Sequence, residues 1–362
     1  MHSVYVKGYF EKNLGDDLFF KILINRYRNT KFYIYTKNDY SNIGKNLINK
    51  YSIINAIENK MIQKFSKNNY CLPIEKKIAK STEFIIQIGG SLFMERSGIN
   101  WKENSDFLYK KIKKKYFILG SNFGPYITEE YKEYFRSIFL NAVDVCFREK
   151  KSYEIFEKNS NIRVASDIVF SLDIANVKIK ENKKVIISVI NCEKKGLEKN
   201  KKKYEEKIIE LMKFFIGKGY KITLMSFCSK EGDEEEIESI LNKCDIELIK
   251  NIETYYYRGK IDEALNILAD SQIIVGSRFH ANIIGLVLNK TIIPIAYSKK
   301  TTNVLKDLNF KGKVIEINNI EQFIVNELSE EDLSYKCNVD NAIINAQEHF
   351  KKLDEILLNE DN

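Results

Sequence analysis

The stretch Ile273–Asn289, IIVGSRFHANIIGLVLN, sets an arginine and a histidine two residues apart at the junction of two apolar runs. Arg278 and His280 are residue types that grip anions and move protons. A guanidinium holds a carboxylate or phosphate through two parallel hydrogen bonds. An imidazole changes charge near neutral pH. Ile273–Val275 reads as the end of a strand and Ala281–Leu288 as an apolar helix, so both side chains fall at the helix's leading turn. Orphan backbone amides and the helix dipole favour negative charge there. A lone histidine is more often structural, but its coincidence with Arg278 at a helix start favours a compact site for phosphate plus carboxylate. Just beyond, IIPIAYSKKTTNVLKDL adds a strand, then Tyr297, Lys299 and Lys300 before another helix. Lys300 is either part of a second cationic wall or an ordinary solvated residue.

Other candidates follow other apolar runs, where doubly wound sheets collect their ligands. After the first comes GYFEKNLGDDLFF. Asn13 and Gly15 bring backbone amides close to whatever binds, and Asp16 and Asp17 open a helix. The two aspartates serve either as helix caps or as a base or anchor for a hydroxyl. IQIGGSLF presents Gly89, Gly90 and Ser91, suited to an anion or sugar hydroxyl, or to a simple tight turn. ILGSNFGPY presents Asn122, a partner for a hydroxyl or a turn residue. CFREKKSYE puts Arg148 directly after a strand, as an anion ligand or as a surface arginine paired with Glu149 or Asp144. In ASDIVFSL, Asp167 reads as a turn or cap. The acidic run Glu231–Glu236 reads as a helix start, and the lysine-rich Glu193–Lys207 as a solvated face or a surface for anionic lipid.

The elements that must position these residues are strands alternating with amphipathic helices, which predicts an α/β protein with parallel sheets. Predicted strands include Val4–Tyr9, Lys31–Tyr35, Phe84–Ile88, Tyr116–Leu119, Val143–Phe147, Val185–Val189, Lys221–Ser226, Ile246–Ile249 and Thr291–Ile295. A polar stretch near Asp173–Lys184 divides the chain into an N-terminal domain, 1–172, and a C-terminal domain, 183–333. A helical segment, 334–362, is expected to pack back across the first. The 362 residues allow two ordinary cores, and 44% apolar with 12% aromatic content excludes general disorder. The net charge of +8 suits anionic small molecules without requiring nucleic acid, for which the dispersed lysines provide no stacking platform. Six cysteines without a C-x-x-C pair point to reduced thiols and a cytoplasmic setting, and no cluster has zinc-ligand spacing. No signal peptide is evident, and no apolar run reaches the roughly 20 residues that span a bilayer.

Taken in order, these pieces resemble the polysaccharide pyruvyl transferase family. The matching segments run from GYFEKNLGDDLFF through IQIGGSLF, ILGSNFGPY, CFREKKSYE and ASDIVFSL to GSRFHANIIGLVLNKTIIPIAYSKKTTNVLKDL. The last is the most specific, with Arg-x-His-Ala, a later proline and Tyr-x-x-Lys. The chain departs from the usual pattern in Gly89-Gly90-Ser91, where many members have three glycines, and in Phe279, usually a smaller aliphatic.

The resemblance implies two Rossmann-like domains with parallel sheets facing a cleft, as in GT-B glycosyltransferases. It implies phosphoenolpyruvate as donor substrate, with no other cofactor and no metal, and a sugar of a surface glycan, often lipid-linked, as acceptor. The product is a cyclic pyruvate ketal, with phosphate released. On this reading Arg278, Arg148, Lys300 and Phe279 bind the donor, and His280 is a general acid or a phosphate contact. Asp16 or Asp17 orients or deprotonates the acceptor, beside Asn13, Gly15, Gly89, Gly90, Ser91 and Asn122. Peripheral contact with the inner membrane face is compatible with such an acceptor. The rival readings are a GT-B glycosyltransferase using a nucleotide sugar and a non-catalytic sugar- or anion-binding protein.

Overall fold

The computed structural model describes residues 1–54, 56–57, 73–96 and 101–358. They form two parallel-sheet α/β units. One comprises Met1–Phe10, Phe19–Ile168 and Ile344–Asn362; the other comprises Glu11–Leu18 and Val169–Ile343.

The sheet of the first unit contains β1 (Ser3–Lys7), β2 (Lys31–Ile34), β3 (Leu47–Asn49), β4 (Phe84–Ile88), β5 (Lys115–Ser121), β6 (Asp144–Phe147) and β7 (Ile162–Val164). Their spatial order is β3-β2-β1-β4-β5-β6-β7. Central strands are buried on both faces, which is why β4 (FIIQI) and β5 (KYFILGS) read as near-continuous apolar runs. One side of the core is an aromatic cluster in which Phe123 and Phe139 cross Phe156 edge to face.

The second unit repeats the plan with β8 (Lys184–Ser188), β9 (Lys221–Ser226), β10 (Ile252–Tyr256), β11 (Ile273–Gly276), β12 (Thr291–Ala296) and β13 (Ile315–Glu316), ordered β10-β9-β8-β11-β12-β13. In both sheets the winding direction reverses beside the first strand, between β1 and β4 and between β8 and β11. Ligands of doubly wound sheets bind beyond the carboxyl ends at this point.

Three expectations need amendment. The predicted strand Ile246–Ile249 is a single helical turn, because the Asp245 carboxylate caps it by accepting the Leu248 amide at 2.8 Å. The sheet instead takes Ile252–Tyr256. Residues 11–18, read as part of the first domain, group with the second unit. The Leu14 amide donates to the Phe227 carbonyl at 3.1 Å, and Lys230 pairs with Glu11 at 2.7 Å. The C-terminal segment, read as one piece from residue 334, divides: 344–362 alone belongs to the first unit. There the Asp354 carboxylate takes both Arg26 Nε (2.8 Å) and Nη2 (2.6 Å), and Phe350 and Leu353 are fully buried.

Candidate active site

In the second unit the switch point lies between Ser188 and Gly276. The Ser277 amide donates to the Ser188 carbonyl at 3.1 Å and the Arg278 amide to Ser188 Oγ at 3.2 Å. Arg278 is the N-cap of helix Phe279–Val287, and Asn282 ties that turn down by donating to the carbonyls of Gly276 (2.9 Å) and Arg278 (3.2 Å).

The Arg278 side chain does not reach out toward a ligand. It is 6% exposed, and its Nε donates to Asp233 Oδ2 at 3.0 Å. Nη2 bonds the other Asp233 oxygen and Nη1 bonds Glu231. Lys195 joins the same Glu231 carboxylate. Asp233 is further held by the amides of Phe227 (2.8 Å) and Cys228 (2.9 Å). Two cations thus face two carboxylates, and the group is neutral as a whole. Burial opposes the guanidinium charge, but Asp233 and Glu231 outweigh it and keep Arg278 protonated. Burial likewise works against the Glu231 carboxylate, yet Arg278 and Lys195 hold it far below the usual range. The expectation of a bare arginine gripping donor oxygens therefore gives way to an arginine that fixes the turn on which His280 stands. The acidic run starts a helix as expected, Asp233–Leu241. Its second role has no local signature, because Asp233 and Arg278 meet only through the fold.

His280 lies in the first turn of helix Phe279–Val287 and is half-buried. Its ring crosses Phe279 edge to face at 5.0 Å and packs on Gly15 so closely that a β-carbon there would stand 1.7 Å from Nδ1. Gly15 is thus needed for space. Asn13 Oδ1 accepts the Gly15 amide at 3.1 Å, opening helix Leu14–Arg26. Its two aspartates differ. Asp17 is buried and accepts the Tyr257 hydroxyl at 2.6 Å, which makes it an anchor. Asp16 is half-exposed on the same turn, one residue from the glycine that touches His280.

Lys300 stands 5.7 Å from the ring centres of both Phe279 and Tyr297. Burial alone would raise the Tyr297 phenol, but Lys300, Lys195 and Arg278 outweigh it and lower its pKa. Beside it, helix Lys299–Asp307 begins at Ser298, whose side chain forms no cap. The hydroxyls of Ser298 and of Thr301, which is 2% exposed, are buried without a hydrogen-bond partner among the described residues. Two open hydroxyls, a lysine and a helix start make a ready acceptor of oxyanions. Tyr297 and Lys300 stand out in the sequence and the two hydroxyls do not; a serine at the N-cap position is the one local signal for them.

In the first unit, Gly89 and Gly90 follow β4 at the other switch point. Gly89 has φ +154°, and a β-carbon on Gly90 would meet Arg148 Nη1 at 2.4 Å. Arg148, 3% exposed, donates to Asp167 Oδ2 at 3.0 Å and to Asn122 Oδ1 at 2.7 Å. The Asn122 amide donates to the Gly90 carbonyl at 2.8 Å. Asp144 does not take the role suggested for it: it binds Arg163 through two 2.7 Å contacts. Glu149 accepts the Ser152 hydroxyl at 2.7 Å. Asp167, which pairs with Arg148, is fully buried and more than a turn residue. Ser91 follows, half-buried. Arg148 therefore belongs with the glycines and Asn122 of its own unit, its guanidinium committed to the frame they form.

The order of these segments agrees with a known family: residues 13–299 match the polysaccharide pyruvyl transferases. The chain belongs to that family. A relative of the chain is the amylovoran biosynthesis protein AmsJ of Erwinia amylovora, 23% identical over 256 residues, which are 63% of this chain and 60% of AmsJ. Among solved structures, the UDP-GlcNAc 2-epimerase of Neisseria meningitidis matches 99% of this chain and 100% of its own with a TM-score of 0.64 at 12% identity. Anabaena Alr3699/HepE, solved with UDP and glucose, matches the same shares with a TM-score of 0.58 at 9% identity. At such identities the likeness concerns the fold, which is GT-B-like. No described helix of the chain is long and apolar enough to cross a membrane.

Proposed function

We propose that this family member moves the enolpyruvyl group of phosphoenolpyruvate onto two hydroxyls of a sugar in a cell-surface glycan or its lipid-linked precursor. The reaction would run in the cytoplasm, with peripheral contact to the membrane that carries the acceptor. The carrying observation is His280 at the switch-point helix start, packed on Gly15 beside Asp16, within a family match that spans residues 13–299.

The chemistry needs a proton on the methylene carbon and attack by one hydroxyl oxygen on the central carbon. That hydroxyl gives up its proton. The second hydroxyl then bonds the same carbon and loses its proton as the C–O bond to phosphate breaks, leaving a methyl ketal and free phosphate. On this reading His280 donates the methylene proton or holds the phosphate, and Asp16 takes a hydroxyl proton. Lys300, Ser298, Thr301 and the start of helix Lys299–Asp307 suit the donor's anionic end. Tyr297, its phenol acidified by three cations, is a further donor of a hydrogen bond to that end. Arg278 acts through Asp233 and Glu231 by holding the turn. Gly89, Gly90, Ser91 and Asn122, framed by Arg148, are assigned to the acceptor.

The test is phosphate release from phosphoenolpyruvate with a panel of glycan acceptors. His280→Ala should lower the rate by about 10²–10⁴-fold. Activity within a few fold of wild type would remove His280 from the chemistry. Thermal stabilisation by UDP-sugars but not by phosphoenolpyruvate would favour a nucleotide-sugar enzyme instead.

A further inference from the structure

At the opposite edge of the first unit's sheet, where strands begin, lies a cleft of about 600 Å³. Its lining includes His2, Phe84, Phe117, Ile356 and the run Lys113–Lys115, together with Glu83 and Glu355. Phe84 and Lys115 are register partners at the starts of β4 and β5. Gly89 and Gly90 follow the far end of β4, about 13 Å away at the usual rise per residue. The cleft is thus separate from that unit's own candidate residues.

The polar groups here are unevenly satisfied. Glu83 is taken by His2 at 2.6 Å and by the Ser3 amide at 3.0 Å. Glu355 pairs with Lys352 at 2.8 Å. Lys114 donates to the Thr82 carbonyl at 2.5 Å. Lys113 and Lys115, both exposed, pair with no carboxylate among the described residues. Two ammonium groups without a carboxylate partner therefore line a recess that Phe84, Phe117 and Ile356 also line. Two unbalanced cations match a dianion, and lysine is a common phosphate binder. The apolar lining residues match a short hydrocarbon arm, and the volume is that of an ordinary small-molecule site.

We infer that this cleft binds a phosphate monoester bearing an apolar arm, either a soluble metabolite or the headgroup region of an anionic lipid. Calorimetry on the full chain with dihexanoyl phosphatidate tests it, with inorganic phosphate and dihexanoyl phosphatidylcholine as comparators. The expected result is saturable binding of phosphatidate, weakened by salt, and at least about tenfold weaker for either comparator. The variant Lys113→Glu/Lys115→Glu, checked for an unchanged melting temperature, should lose at least about tenfold in affinity. Lys250→Glu, a charge reversal on an exposed lysine of the other unit, should lose nothing. Unchanged binding by the double variant overturns the inference. So does equal loss in Lys250→Glu, or phosphate binding as tightly as phosphatidate. Sedimentation with vesicles of phosphatidylcholine and phosphatidate in equal parts separates the sources. Co-sedimentation together with short-chain binding assigns a lipid headgroup, and short-chain binding alone assigns a soluble ester. Vesicle binding without short-chain binding excludes the cleft.

Discussion

The imidazole of His280 rests on the α-carbon of Gly15, so that a methyl group at residue 15 would lie 1.7 Å from Nδ1. Any side chain there must push the ring aside. Gly15→Ala should therefore destabilise the protein by about 1–3 kcal/mol through overpacking. It should also depress phosphate release nearly as far as His280→Ala does. Combined with His280→Ala, which vacates the space, the glycine substitution should recover most of its stability cost. A double-mutant cycle by denaturant unfolding reads the coupling. Simple additivity would mean that the two residues do not touch.

A second expectation concerns Arg278. Its guanidinium is the shared partner of Asp233 and Glu231, both largely desolvated. Removing one member of such a group strands buried charge, at a cost of about 3–5 kcal/mol. Arg278→Ala should therefore lower the melting temperature sharply. Arg278→Met paired with Asp233→Asn should restore much of the loss, because the unpaired carboxylate is gone. An arginine serving only as a ligand for substrate would leave stability almost unchanged in every variant.

These two cases show where the sequence was legible. Strand–helix alternation and apolar runs such as FIIQI and IIVG exposed both sheets, and glycines and charged residues after strands marked the switch points. The helix start at Arg278 and His280 could be read because its cause is local. Partnerships could not. Asp233 reads as a helix-opening aspartate, Asp167 as a turn residue and Asp17 as a twin of Asp16. Each owes its role to a group brought near by the fold: Arg278, Arg148 and Tyr257. The same limit hides the grouping of residues 11–18 with the second unit, since their bonds to Phe227 and Tyr257 leave no periodic trace. Ile246–Ile249 shows the converse, a β-branched run overruled by the aspartate that caps it.

Glu236 supplies a pH effect in the second unit. The carboxyl is fully buried, and neither oxygen has a hydrogen-bond partner among the described residues. Burial, then the neighbouring charge of Glu205, pushes its pKa up to about 7. The native state thus holds a proton that the unfolded chain releases near the ordinary glutamate value. Between those values the native state binds more protons, so stability falls as pH rises, by at most about 1.4 kcal/mol per unit. Melting temperature should drop between about pH 4.5 and pH 7, the window those two values bracket. Glu236→Gln should flatten this limb and be the more stable protein at the upper end. Parallel curves for the two proteins would show that Glu236 ionises as freely folded as unfolded.

His349 acts on the acid side, in the first unit. Its ring is fully buried, Nε2 donates to the Ser166 carbonyl at 2.8 Å, and Nδ1 has no partner among the described residues. Burial lowers its pKa to about 4, against a partial upward pull from Asp167. A second proton would put a charge and an unmatched N–H into the core beside the buried Arg148–Asp167 pair. Here the unfolded chain binds the extra proton first, near the ordinary histidine value. Stability is therefore complete above about pH 6.5 and declines as pH falls toward the folded value. His349→Gln can keep an N–H for Ser166 while removing the titration. That variant should lose the limb between about pH 6.5 and 4 that wild type shows, even where it is less stable overall. Because Glu236 and His349 slope in opposite directions, unfolding curves of the two single variants separate their contributions. An acid limb unchanged in His349→Gln would place its origin in the paired carboxylates instead.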